Sequence, residues 1–260
     1  MINYLKSEIF RISRTKSVYI FPLMLNLGII AILGITRYFA YLDGVDFPYN
    51  NSAFIFLTIQ SMLQSVIFLI PIIVNIIFAD EHKNGTFKNP ISYGVNRHVL
   101  FFGKLILMTI YSLVALTFTV ISIIFFTNLM MESGSVSDLR SQRNMIEGII
   151  GALPLLLALL SLSHMLSFVL KKTSSHWTAF FLITIAIPTI LARVQSGVGS
   201  RFIGILLDVT PMSILVGIAQ LGRIDMTWEL IPWGQSIIIF LIYFGISTLI
   251  GLGKFTKQDV

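Results

Sequence analysis

The chain has 260 residues, of which 55% are hydrophobic and 12% charged, and its mean hydropathy is +0.87. A soluble domain carries about 25% charged residues, so this balance excludes a soluble globular protein, a disordered tail and a nucleic-acid module despite the net charge of +6. The lack of cysteine excludes a disulfide framework, a thiolate metal site and a cysteine nucleophile; what remains is an all-α integral membrane protein.

In chain order, residues 1–17 form the first predicted element. Ile2, Leu5, Ile9 and Ile12 fall on one helical stripe, with Ser7, Arg11 and Arg14 opposite. That pattern predicts a helix lying in the headgroup layer. Six runs then have about the 20 apolar residues a span requires: Val18 to Thr36, Ala53 to Phe78, Val99 to Asn128, Gly148 to Leu170, a shorter Trp177 to Ala192, and Ser236 to Gly253. Unbroken runs of this length argue against a β-barrel, whose strands alternate in short segments. No small-residue cleavage pattern follows the first span, so it reads as a retained anchor. Within the segment 193–235, Phe202 to Leu221 is interrupted by Asp208 and Pro211, which predicts a re-entrant or hairpin element on the outer, extracellular face.

Charge sets the orientation. With six spans, one side holds twelve basic residues against four acidic ones, and the other six basic against eight acidic. Lysine and arginine accumulate on the cytoplasmic side, so both termini are expected in the cytoplasm. A seventh full crossing would export Lys254 and Lys257.

Catalytic patterns are missing from the sequence. The six runs contain no carboxylate, which weakens a proton-coupled carrier reading. There is no H-E-x-x-H, and His82, His98, His164 and His176 lack zinc spacing. Gly251-Leu252-Gly253-Lys254-Phe255 lacks the spacing and hydroxyl of a phosphate-binding loop. No catalytic, cofactor or metal residue is therefore assigned, and ATP-driven work requires another polypeptide. The polar residues Gln60, Gln64 and Asn75 are candidates for a substrate path, although interhelical hydrogen bonding is the favoured reading of them. Gln60 and Gln64 stand four apart, on one predicted helix face.

The loop at 79–98 carries the most specific pattern. Gly85 permits a sharp turn, Asn89-Pro90 suits a helix N-cap and first position, and Gly94 supplies a stop. A short helix over Pro90 to Tyr93 is predicted, held between two long spans. The sequence here resembles the permease subunits of ABC-2 type transporters, through Glu81, Gly85-Thr86, Lys88, then Gly94-Val95-Asn96-Arg97, and Lys104 seven positions after Arg97. Gly94 stands where many members have proline, and Pro90 where leucine is commoner.

That resemblance implies that Glu81, Gly85, Thr86, Lys88, Pro90, Tyr93, Gly94, Arg97 and Lys104 couple the chain to an ATPase. It implies two cytoplasmic ABC ATPase subunits, which bind ATP and magnesium, and a second permease, identical or homologous. The bacterial cytoplasmic membrane is the expected location. The wording of the loop is most similar to permeases that export or expel amphipathic substrates, such as antimicrobial peptides or lipid-like molecules. A non-transporting scaffold or sensor, and an ion channel or secondary carrier, are the rival readings.

Overall fold

The computed structural model describes residues 2–43, 49–84, 88–132, 135–170, 172–221 and 230–257, with side chains at all of these except 43, 79–84, 88 and 89. The described residues contain no β-strand, only an isolated bridge between Asn51 and Glu132. Five helices are long and apolar enough to cross a membrane. They are α2 (Lys16–Asp43), α6 (Arg97–Met130), α7 (Val136–Val169), the composite Thr173–Val198, and α12 (Trp233–Lys257).

A further crossing is broken. It consists of α3 (Ser52–Ser61), a 3-10 turn at Leu63–Phe68 and α4 (Ile70–Asn84), bent by 54°. Pro71, at the second position of α4, has no N–H and its ring crowds the carbonyl four residues earlier. The chain ahead of it tightens into i to i+3 bonds, such as Leu69 N to Val66 O at 2.9 Å. The predicted regular face carrying both Gln60 and Gln64 is therefore absent: Gln60 ends α3, and Gln64 lies in the 3-10 turn. A second proline acts in the fifth span, where α8 (Thr173–Phe181) joins α9 (Ile187–Val198) through a π-helical turn at Leu182–Ala186, just before Pro188. That span is longer than the predicted Trp177 to Ala192.

The predicted hairpin segment is bent by 78° between α10 (Arg201–Asp208) and α11 (Pro211–Leu221). No residue of α10 is buried, whereas α11 buries Ile214, Leu215 and Ile218 against the bundle. Residues 222–229 of this segment lie outside the described residues. One broken span and one hairpin added to the five helices give the six-span arrangement.

The most buried of the five long helices is α7. Met145, Ala152, Leu155, Ala158 and Leu159 are fully enclosed along it. α12 runs alongside and comes close at Gly251, where a Cβ would stand 3.3 Å from Met165 Cγ of α7 and 2.8 Å from Phe101 Cε2 of α6. Small residues at such crossings let helices pack by van der Waals contact, which drives association where lipid is as apolar as the core.

α7 begins twelve residues before the predicted Gly148, because Ser135 and Asp138 form a capping box. Asp138 Oδ2 accepts from Ser135 N at 2.8 Å, while Oδ1 accepts from Ala53 N at 3.0 Å, at the start of α3. One carboxylate thus satisfies the open ends of two helices. Alongside, Ser52 N donates to Glu132 O at 3.0 Å, and Asn50 Nδ2 to Glu132 Oε1 at 2.9 Å. Asp138→Ala is expected to remove two caps of about 1 kcal/mol each. In detergent melting curves, Tm should then fall by about 4 to 8 °C; an unchanged Tm would show that the capping is energetically idle.

Candidate functional site

The site is built where the basic ends of the helices meet. α4 leads through residues 85–87 to α5 (Lys88–Ser92), which turns at Gly94 into α6. The predicted short helix exists but begins at Lys88, so Asn89 and Pro90 lie within its first turn. Pro90 is tolerated there because first-turn N–H groups have no helical partner. Gly94 has φ +81°, a conformation strained for a residue with a Cβ. Its N–H donates to Ile91 O at 3.0 Å, and Val95 N–H to Pro90 O at 2.9 Å, closing the helix. Asn96 then caps α6, accepting from His98 N at 2.9 Å.

α5 and the turn that follows it have two different sides. Ile91 and Val95 pack against the hydrophobic core. Tyr93 is 89% exposed and projects away from it. Among the other predicted coupling residues, Gly85 and Thr86 lie outside the described residues. Glu81 belongs to the backbone of α4 and Lys88 to that of α5, and their side chains lie outside the description as well.

Arg97 has a defined position. Its Nη1 donates to the carbonyls of Phe255 at 2.7 Å and Thr256 at 2.8 Å, and its guanidinium stands 5.8 Å from the centre of the Phe255 ring. The last carbonyls of a helix lack intrahelical donors and carry the negative end of its dipole. A cation from the start of α6 therefore fastens the end of α12.

Lys104 is fully buried about two turns further along. Its Nζ lies 3.5 Å from Glu8 Oε2 and 4.9 Å from the centre of the Phe78 ring. Glu8 comes from α1 (Ile2–Ser13), and its carboxylate also takes Arg11 Nη2 at 2.7 Å. Arg11 in turn donates to Ile77 O of α4 at 3.2 Å. Burial pushes the Glu8 pKa up, but Lys104 and Arg11 outweigh it and hold the group below its usual 4.5. Gly103 allows the approach: a Cβ there would lie 2.7 Å from Tyr4 Cε1. Phe78, Phe101, His164 and Phe168 pack edge to face beside this cluster, and Phe255 joins them through Phe168.

Along the expected apolar stripe of α1, Ile2 and Ile9 are exposed and Leu5 and Ile12 partly buried, while Arg11, expected on the opposite side, is drawn toward α4. Glu8, Arg11 and Phe255 were missed by sequence reasoning. A lysine inside the apolar run after Val99 was the available signal, since a charge at that depth demands a partner.

The candidate substrate-path residues do not converge. Gln60 is fully buried, with Gly148 making room for its amide, while Gln64 and Asn75 are partly buried on other elements. An apolar cavity of about 240 Å³ opens at the break in the second crossing, and none of the three is among the residues lining it. Among the described residues, no three His, Asp or Glu side chains gather as a metal site. In comparison with known families, the model for an ABC-2 family transporter protein matches residues 4–186, which takes in α1 through the π-helical turn. No curated protein matches the sequence significantly.

Removing one member of a buried pair leaves an uncompensated charge and costs roughly 3 to 5 kcal/mol. Glu8→Gln should therefore destabilise more than Lys104→Met, which leaves Glu8 with Arg11. The double variant should recover much of the loss. The Glu8 contribution is present in full above pH 4.5 and fades as pH falls through the lower folded value, so Glu8→Gln should lack that acid limb. Melting curves across pH measure both; additive losses in the cycle would mean the two groups do not interact.

Proposed function

The chain belongs to the ABC-2 family of transporter proteins and is thus a membrane component of an ABC transporter; from that premise we propose that α5 docks onto a separate ATPase subunit and that the pair expels an amphipathic substrate. The observation that carries the proposal is the two-sided setting of α5. Ile91 and Val95 fasten it to the bundle, Gly94 fixes its end, and Tyr93 faces outward. A displacement imposed on α5 has direct routes inward. Arg97 connects its far end to α12, and α4 connects through Ile77, Arg11 and Glu8 to α1 and Lys104.

In this reading, two ATPase subunits supply ATP hydrolysis and a second permease completes the assembly. Closure of the ATPases pushes α5, and the push reaches α1, α4, α6 and α12 together. Glu81, Gly85, Thr86 and Lys88 complete the docking surface. The basic face is cytoplasmic, in a bacterial cell membrane. Antimicrobial or other amphipathic peptides and lipid-like molecules are the proposed substrates. A scaffold or an autonomous channel gives no reason for a helix so held and so exposed.

Tyr93→Ala should leave folding intact, because the side chain packs on nothing in the bundle. It should lower co-purification with the ATPase, or coupled hydrolysis, by at least about tenfold, equivalent to 1.4 kcal/mol. Gly94→Val should do the same by straining a positive φ. Normal association and transport in both variants would leave α5 an ordinary basic turn.

A further inference from the structure

The cavity at the break of the second crossing has the form of a slot. Its lining runs along α2 from Phe21 to Ile29 and along α6 from Ser112 to Ile123, with Met62 to Ile73 and Ile149 to Leu157 closing the sides. At 1.5 Å per residue these walls are roughly 12 to 16 Å long. The volume, about 240 Å³, exceeds the roughly 150 Å³ that accommodates a benzene ring. A long, narrow void suits a chain better than a ring.

Its chemistry is equally restrictive. Ser112 and Thr119 are the polar side chains lining it among the described residues. Ser112 Oγ donates to Thr109 O of its own helix at 2.9 Å, and Thr119 Oγ1 accepts from Asn26 Nδ2 at 3.3 Å. A buried water needs two to four polar partners, and these walls do not offer them. No charged residue reaches the slot, so no headgroup is held there. The slot lies between spanning helices, where the surrounding medium is hydrocarbon. Two of its lining residues, Met62 at 58% and Leu113 at 39% exposure, stand at the bundle surface and mark a mouth toward that medium.

We propose that the slot binds one acyl chain of a bilayer phospholipid, inserted sideways at the break that Pro71 and the 3-10 turn make in the second crossing. An unfilled void would forfeit the dispersion contacts of all its walls. Lipid tails are the abundant molecules that match its length and apolarity. The bound chain lies against the 3-10 turn at Leu63–Phe68, whose Leu63 and Val66 line the slot. The inference goes beyond the transport reading and concerns the permease without any ATPase.

The test uses the full chain in nanodiscs of phosphatidylethanolamine and phosphatidylglycerol, doped with phosphatidylcholine carrying a diazirine at the end of one acyl chain. After photolysis, peptide mass spectrometry should find adducts on 112–123 and 149–157 in preference to the outward face of α12 at Ile237 and Leu241. Ala115→Phe, which fills the slot, should lower slot labelling by about tenfold, a loss of 1.4 kcal/mol in occupancy, with α12 labelling unchanged. If that variant fails to fold, Leu113→Trp narrows the mouth from the exposed rim and should give the same selective loss. Slot labelling no greater than that of α12, or unchanged in a folded blocking variant, would overturn the proposal. So would efficient disulfide formation between subunits at Met62→Cys, because a second copy would then cover the mouth. None of these failures bears on ATPase docking, since no ATPase is present.

Discussion

A lysine buried in an apolar bundle must have a counter-charge within reach, and much of the basic end of this molecule is arranged around that requirement. Lys104 sits inside α6, and its partner Glu8 comes from a helix that precedes every span. The pairing draws α1 against the bundle with its charged face turned inward. Arg11 joins the same carboxylate and extends the connection to the Ile77 carbonyl of α4. A buried pair of this kind contributes little net stability against an apolar replacement. What it specifies is position: α1, α4 and α6 cannot shift independently without exposing a charge to hydrocarbon.

The same economy of polar partners recurs at both ends of the bundle and in its middle. Asp138 satisfies the starts of α7 and α3 together, and Arg97 satisfies the end of α12. In hydrocarbon an unsatisfied backbone group costs several kcal/mol, so helix ends are held by side chains or kept near the surface. Pro71 and Pro188 each remove a donor, and the backbone answers with a 3-10 turn in one span and a π-helical turn in the other. The first of these deviations opens the apolar slot. Thus the break that gives the second crossing its bend also gives the bundle its cavity.

The order of the spans was legible because the cost of crossing hydrocarbon imposes long apolar runs; the bent pair α10 and α11 is the segment that imitates one. The stop at Gly94 was legible because only glycine takes φ +81° without strain. Pro71 announced a disturbance, but not that the ladder would tighten over Leu63–Phe68, upstream of the proline itself. The early start of α7 was written in Ser135-Val136-Ser137-Asp138, a capping box hidden in a stretch that reads as a polar loop. The partners of Lys104 and Arg97 were not legible. Glu8 lies 96 residues from Lys104 and Phe255 lies 158 from Arg97, and one sequence offers no measure of proximity across such separations. The common face expected for Gln60 and Gln64 was not legible for a related reason: it depended on a regular helix that the 3-10 turn interrupts.

The central claim is that α5 is the surface through which an ATPase acts on this bundle. The most direct measurement places the photoreactive amino acid benzoylphenylalanine at position 93 of the full-length chain and irradiates intact membranes. The account predicts an adduct containing a phosphate-binding-loop ATPase, with a yield that changes when ATP is added. Adducts with lipid alone, or with the ATPase only when the probe stands elsewhere on the bundle, would contradict it.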